Sequence, residues 1–458
     1  MKNNFNKDSI QEGQQLALPF KDSEAEYLSL SELYASPTPP QLPKKLPKLV
    51  SAITSQTPPD YKATVAQAAF PALGVYPKNI SFKYIDNQQR QLRMCCLIVG
   101  GTGDGKDSCL RQPLGHILHD VRERDEVNRR KLAEFNAEFN RKSANSEKPE
   151  RPKDLIIQVI KSDITRAALY QRMDEAQGAP LYCQMNELEQ WDKVEGATGR
   201  NNQFTLLKLA DDEWNDVGAD RAGTQSVTAS GSLFLNWNAN TTPSKALRYF
   251  QYVMTDGPVS RLTLATVPHM EIGSDMPVFG NYDEKYDEKL RPFIENLKQS
   301  TGDIVCNKAL QLVRDLKHEL DEFLILSQDY VLNNLSRRAM VQVFRKACLL
   351  YAANGMKWEK SFYNFCRWSL HYDLFLKLKL FGDAIRNDDQ KLQFSKRGPQ
   401  NLLSELTTAE KKVFTYEELR LLRLKKGMDE KGTGKLLSKW KQRGYIRQLT
   451  NDSFESLR

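Results

Sequence analysis

The feature that most constrains this chain is a run of nine residues, Gly100-Gly101-Thr102-Gly103-Asp104-Gly105-Lys106-Asp107-Ser108, together with what flanks it. Met94-Cys95-Cys96-Leu97-Ile98-Val99 before it reads as a buried strand, and the residues after it carry a helical pattern. A strand, a glycine-rich turn and a helix in that order gather backbone N–H groups and a positively polarised helix N-terminus around one point, which cradles a phosphate. Lys106 stands where a lysine reaches the outer phosphates. Gly100, Gly101, Thr102, Gly103, Asp104, Gly105, Lys106, Asp107 and Ser108 are therefore the expected nucleotide-binding loop, with ATP and Mg²⁺ as its ligands. Asp107 takes the place of the usual Ser or Thr hydroxyl. Its carboxylate is a candidate magnesium ligand that adds negative charge near the phosphates, and Ser108 projects from a different face. A glycine turn that only packs strand against helix is the plain alternative.

Further short apolar runs at 155–160, 181–185, 232–236 and 262–267 alternate with helical patterns, which predicts an α/β fold with a mainly parallel, fully covered sheet. From Leu290 to about Asp389 the pattern is helical almost throughout. The expected organisation is a disordered, proline-rich tail over 1–45, a core over 46–300 with a helical lead-in, a helical domain over 301–390, a polar linker over 391–412 and a small domain over 413–458. A chain of 458 residues, 40% hydrophobic and 27% charged, is long enough for two or three such domains. No apolar run approaches the ~18 residues of a membrane span, and the polar start Met1-Lys2-Asn3-Asn4 is no secretory signal, so a cytoplasmic protein without a membrane partner is expected. The seven cysteines form no CxxC pair and read as reduced, buried thiols.

A phosphate loop that hydrolyses its nucleotide needs an acidic group at the exit of a second strand. Leu181–Met185 is followed by Asn186-Glu187-Leu188-Glu189, which makes Glu187 the candidate base that orients water and Asn186 the residue on the magnesium side. The alternative is that Glu187 caps the helix starting near Leu188. The strand around Leu233 ends in Asn236, Asn238 and Asn240, on one face if the extended geometry persists; Asn236 is the candidate amide for water or γ-phosphate, against a plain turn. Arg261, after Asp256-Gly257-Pro258-Val259-Ser260, is a candidate finger reaching a neighbouring subunit's site, or else a structural ion pair.

The formal net charge of +8 is concentrated at one end, where residues 415–458 hold eleven Lys or Arg against six Asp or Glu. Thr415 and Glu418 have capping-box spacing before an apolar helix that stops near Gly427; Thr433–Arg443 gives a second helix, and 444–454 a two-stranded wing. This end resembles a winged helix, presenting Lys435, Lys439 and Lys441 to a DNA groove and Arg447 to phosphates, although winged helices also dock proteins.

Taken together, the loop, Ser162-Asp163-Ile164-Thr165 opening a helix, Asn186–Glu189, Arg221, the asparagine strand and Gly257–Arg261 resemble the helicase/primase-type ATPase family of bacterial mobile elements and phages over roughly residues 46–270. The resemblance implies a RecA/AAA-like fold, a replication or mobilisation role and assembly into a homo-oligomeric ring. Lys106 then matches the phosphate-binding lysine, Glu187 the second acidic motif and Arg261 the Ser-Arg finger, while Asp107 departs from the pattern. In the tail, Gln15-Leu16-Ala17-Leu18-Pro19-Phe20 resembles peptides that dock into the bacterial sliding clamp through Gln15, Leu18 and Phe20. The reading that results is an ATP-driven DNA helicase or replication-initiation ATPase; its rival is a non-motor, ATP-binding DNA adaptor or initiator with little hydrolysis.

Overall fold

The apolar run ending at Val99 becomes the interior strand of a parallel sheet. The computed structural model describes residues 29–142, 149, 152, 155–195, 205–219, 229–254, 257–327, 329–395, 402–408, 411–425 and 430–457. The chain divides into two units, Met1–Arg386 and Asn387–Arg458. In chain order the strands of the first are β1 (Ile80–Lys83), β2 (Gln89–Arg90), β3 (Cys95–Val99), β4 (Val159–Ile160), β5 (Leu181–Met185), β6 (Val217–Ala219), β7 (Ala229–Gly231), β8 (Leu235–Thr241), β9 (Leu264–Thr266) and β10 (Gly302–Ile304).

Five of them form the main sheet in the order β4-β5-β8-β3-β9, every pairing parallel. The expected alternation of strands and helices is thus the observed one, although only the last two residues of the 155–160 run join the sheet. β3 and β8 are buried along their whole length, as strands covered on both faces must be. On one face of β8, Trp237 meets the Trp191 ring edge-on at 5.2 Å. On the other, the Asn238 amide donates to the Ala68 carbonyl at 2.9 Å, which ties the middle of the strand to the helix Lys62–Ala68.

The outer edge of β9 has free backbone N–H groups, and the helix Ser361–Ser395 closes it. Asp373 Oδ1 accepts from the Leu264 N–H at 2.7 Å and Tyr372 Oη from the Thr266 N–H at 3.1 Å. Lys377, fully buried, donates to Asp373 Oδ2 at 2.7 Å and neutralises it. The long helices Asn307–Ser327, Tyr330–Ala353 and Ser361–Ser395 consequently share one apolar core with the sheet, and residues 301–386 belong to the same unit as the strands rather than standing as a domain of their own.

The same helix also orders part of the expected tail. Ser29 and Glu32 form a capping box on the helix Leu30–Ala35, Leu30 and Leu33 are buried, and Trp368 Nε1 donates to the Pro40 carbonyl at 3.0 Å. Tyr34 Oη pairs with His371 Nδ1 at 2.9 Å, and the far side of His371 faces Glu319, which accepts from Arg367 Nε at 3.0 Å. Residues 29–45 are therefore part of the core; the expected clamp-docking residues Gln15, Leu18 and Phe20 lie outside the described residues.

In the second unit the strands are β11 (Val413–Thr415), β12 (Ile446–Gln448) and β13 (Ser453–Ser456), antiparallel in the order β11-β13-β12. The expected two-stranded wing is thus the outer part of a three-stranded sheet. β11 escaped sequence reading because only Phe414 of its three residues is buried. Thr415 and Glu418 form the expected capping box at the start of the helix Tyr416–Lys425, with Thr415 N to Glu418 Oε2 at 2.8 Å and Glu418 N to Thr415 Oγ1 at 3.2 Å. Leu402 and Leu403, placed in the linker by sequence, join Phe414, Leu419, Leu437, Ile446 and Phe454 in this unit's core. All seven cysteines are free and buried, and among the described residues no helix is long and apolar enough to cross a membrane.

Two stability effects follow. Asp373→Ala strands the buried Lys377 charge and the Leu264 edge donor, so it is expected to cost about 3–5 kcal/mol in urea unfolding. Burial alone would raise the Glu319 carboxyl, yet His371 and Arg367 hold it down to about 2. A folded-state value below the unfolded one means stability that is complete above about pH 4.5 and lost as pH falls toward 2. Glu319→Gln should flatten that acid limb in melting curves recorded between about pH 6 and 3.

Candidate functional site

The glycine loop turns out of β3 at the C-terminal edge of the sheet and enters the helix Lys106–Ile117. Gly103 at φ 90° and Gly105 at φ 77° hold left-handed conformations that residues with a Cβ adopt at a cost, and Gly105 is the N-cap of the helix. The twelve-residue helix directs its first-turn N–H groups, and the positive end of its dipole, toward the loop.

Asp104 is the organising side chain. It is 4% exposed, accepts from the Gly101 N–H at 2.7 Å through Oδ2 and from the Met270 N–H at 3.2 Å through Oδ1, and faces His269 Nδ1 at 3.4 Å. Burial alone would raise its carboxyl, but the Met270 and Gly101 N–H groups and His269 hold it below the ordinary aspartate range. Tyr61 Oη donates to its backbone carbonyl at 3.1 Å. A carboxylate has the charge and acceptor geometry of a phosphate edge, so the loop's own side chain occupies one of the donors that an incoming phosphate would use. Lys106 Nζ is likewise turned inward, donating to the carbonyls of Gly100, at 3.0 Å, and Gly101. Thr102, Gly103 and Ser108 are exposed around the rim.

Asp107, in the first turn, accepts a hydrogen bond from Asn240 Nδ2. Parallel register places Asn240 opposite Ile98, one residue before the end of β3, which brings the last of the three asparagines to the loop. Asn236 is four residues earlier and at the other edge of the sheet; it is fully buried, and its Oδ1 accepts from the Met94 N–H at 2.7 Å. Sequence put the three amides on one face, where their contacts do lie, but the residue at the loop is Asn240 rather than Asn236.

β5 also ends at this edge, two strands from β3. Asn186 and Glu187 are exposed there. Glu187 forms a capping box with Gln190 on the short turn Leu188–Gln190, the alternative considered from sequence, and its Oε2 accepts from Lys245 Nζ at 2.7 Å, with Glu189 at 3.7 Å from the same ammonium. The carboxylates beside it raise the Lys245 ammonium's pKa. Lys245 was missed in sequence; its signal was a basic residue in the first turn of the helix Pro243–Phe250, directly after the asparagine strand.

Arg261 is not at this edge. It precedes β9, and with Arg93, Cys95, Asp211 and Trp237 it lines a small cavity at the starts of β3 and β8. Its Nη1 donates to the Gly257 carbonyl at 2.9 Å and its Nε lies 3.8 Å from Asp211, which also pairs with Arg338 and the buried Arg345. Burial lowers its pKa. The ion-pair alternative describes this side chain. Arg221 falls outside the described residues.

In the second unit Lys435 and Lys439 are exposed one turn apart on the helix Thr433–Gln442. Lys441 donates to Gln448 Oε1 at 2.7 Å, and Arg447 pairs with Glu455 across β12 and β13 at 2.6 Å. Of the four expected nucleic-acid contacts, two therefore already have protein partners.

No protein-family model matches the chain, and no curated protein matches it.

Because Asp104 holds the Gly101 donor, Asp104→Ala is expected to tighten tripolyphosphate binding several-fold in calorimetric titration, by about the value of one charge-assisted hydrogen bond. Weaker binding would mean that the carboxylate shapes the loop rather than competing with its ligand.

Proposed function

We propose that this chain is a DNA-associated ATPase that binds ATP at Gly100–Lys106. The observation that carries the reading is the left-handed glycine turn from an interior parallel strand into the N-terminus of a twelve-residue helix, at the C-terminal edge where α/β sheets bind ligands. The strand order, with the Asn240 strand lying between the loop strand and the strand before Glu187, supports a RecA/AAA-like core.

On this reading the triphosphate displaces the Asp104 carboxylate from Gly101, and Lys106 leaves its carbonyl partners to reach the β- and γ-phosphates. Asn240 donates to Asp107 through one oxygen, which leaves the carboxylate its second oxygen; this fits a magnesium ligand, with Asn186 on the same edge. Magnesium would supply charge neutralisation at the phosphate oxygens. Glu187 accepts a proton from water as its oxygen attacks the γ-phosphorus and the bond to the leaving ADP oxygen breaks. Lys245, now bound to Glu187, has to release it first. The exposed pair Lys435 and Lys439 on a winged-helix-like unit supplies DNA phosphate contacts. Assembly into a ring, a helicase or replication-initiation role in a mobile element or phage, and clamp docking through Gln15, Leu18 and Phe20 rest on the family resemblance.

The Glu187–Lys245 ion pair at 2.7 Å and the self-capped loop favour a second reading, an adaptor whose nucleotide stabilises DNA binding with little turnover. Steady-state ATP hydrolysis by the wild type, Lys106→Ala and Glu187→Gln, with and without single-stranded DNA, separates the two. The motor reading expects DNA-stimulated turnover reduced by about a hundredfold or more in both variants. Lys106-dependent ATP binding without turnover establishes the adaptor, and absence of ATP binding overturns both.

A further inference from the structure

Resting on the phosphate-loop reading, we propose that the cleft beside Gln56 receives the adenine ring and ribose of the same nucleotide. The cleft has a volume of about 400 Å³ and is lined by Gln56, Gly280, Asn281, Asp283, Lys285 and Lys289. Pockets of this size hold nucleoside-sized ligands, and here the lining is polar.

One chain of contact joins the cleft to the loop, and a second joins it to the last turn of the helix that follows. Gly280 follows Phe279, whose ring lies 6.1 Å from that of Tyr61, and Tyr61 is hydrogen-bonded to the loop at Asp104. His116, on the helix that begins at Lys106, stacks on Tyr282 at 5.7 Å, and Tyr282 is two residues from Gly280. The loop and the cleft are thus held to one cluster of packed aromatic rings, in which Tyr61 is buried.

The lining has the chemistry for adenosine. The Gln56 amide offers one donor and one acceptor, the pair that matches the N6 amino group and N7 of adenine and mismatches guanine. The chain at Gly280 lies against Gln56: its N–H donates to the Gln56 backbone carbonyl at 2.9 Å, and a Cβ would come within 2.0 Å of the side-chain Oε1. Asp283 accepts from the Tyr286 N–H at 3.1 Å through Oδ1 as N-cap of the helix Glu284–Gln299, and its other oxygen is an acceptor for a ribose hydroxyl.

The test compares ATP, GTP and tripolyphosphate by calorimetric titration of the full chain in four forms: wild type, Gln56→Ala, Gly280→Val and Lys106→Ala. Circular dichroism melting checks that each variant is folded. The site predicts that Gln56→Ala weakens ATP about tenfold, abolishes any preference over GTP and leaves tripolyphosphate within about twofold, as loss of an amide pair to the base requires. Gly280→Val, whose Cβ displaces the Gln56 amide, should do the same, whereas Lys106→Ala should weaken all three ligands. ATP binding that depends on Lys106 but is unchanged by Gln56→Ala and Gly280→Val overturns the base site and leaves the phosphate loop standing. Equal losses for ATP and tripolyphosphate in the Gln56 variant overturn it too, and ATP that does not bind the wild type overturns the phosphate loop and the base site together.

Discussion

The rest of the first unit depends on covering a parallel sheet. Such a sheet has no polar face to turn toward water, and its outer strand carries donors that a hairpin partner does not satisfy. Here the cover on the β9 side comes from residues more than a hundred positions downstream, through Asp373 and Tyr372 on the helix Ser361–Ser395. The carboxylate that caps Leu264 is buried, so it needs a buried cation, and Lys377 one turn further along the helix provides it. One polar requirement of the sheet edge therefore fixes two charged residues inside an apolar helix. It also fixes where the other long helices pack, because Lys346 donates to Ser369 of the same helix at 2.9 Å and to Gln67 of the helix Lys62–Ala68 at 2.8 Å.

The legible parts of this chain were those set by local pattern. Five apolar runs marked the five strands of the main sheet, glycines marked the loop, and Thr415 with Glu418 marked a helix start. What sequence could not reveal was set by pairing over distance. β10 is three residues, Gly302–Ile304, with no apolar alternation, and exists as a strand because it lies parallel to β1. The helix Leu30–Ala35 is only six residues long and is held by contacts to residues beyond 360. Within the candidate site, period-two spacing put the three asparagines on one face, but the choice of Asn236 over Asn240 needed the register of β8 against β3. Arg261 followed a turn before a strand, and only the direction of β9 shows which edge that turn occupies.

The donors at the loop explain why a glycine turn entering a helix carries two aspartates. A bare loop would leave the Gly101 N–H and the Lys106 ammonium facing a partly dehydrated hollow, and unsatisfied donors in such places are costly. Asp104 removes part of that cost by accepting from Gly101, and its second oxygen ties down Met270 and approaches His269 on the segment after β9. Asp107 plays the matching part for Asn240, whose amide would otherwise project unpaired from the end of β8. The two carboxylates thus occupy the Gly101 and Asn240 donors with the chain's own acceptors. The segment that runs from Met270 past the exposed Ile272, Met276 and Val278 to Gly280 is thus joined to the loop through the Asp104 side chain.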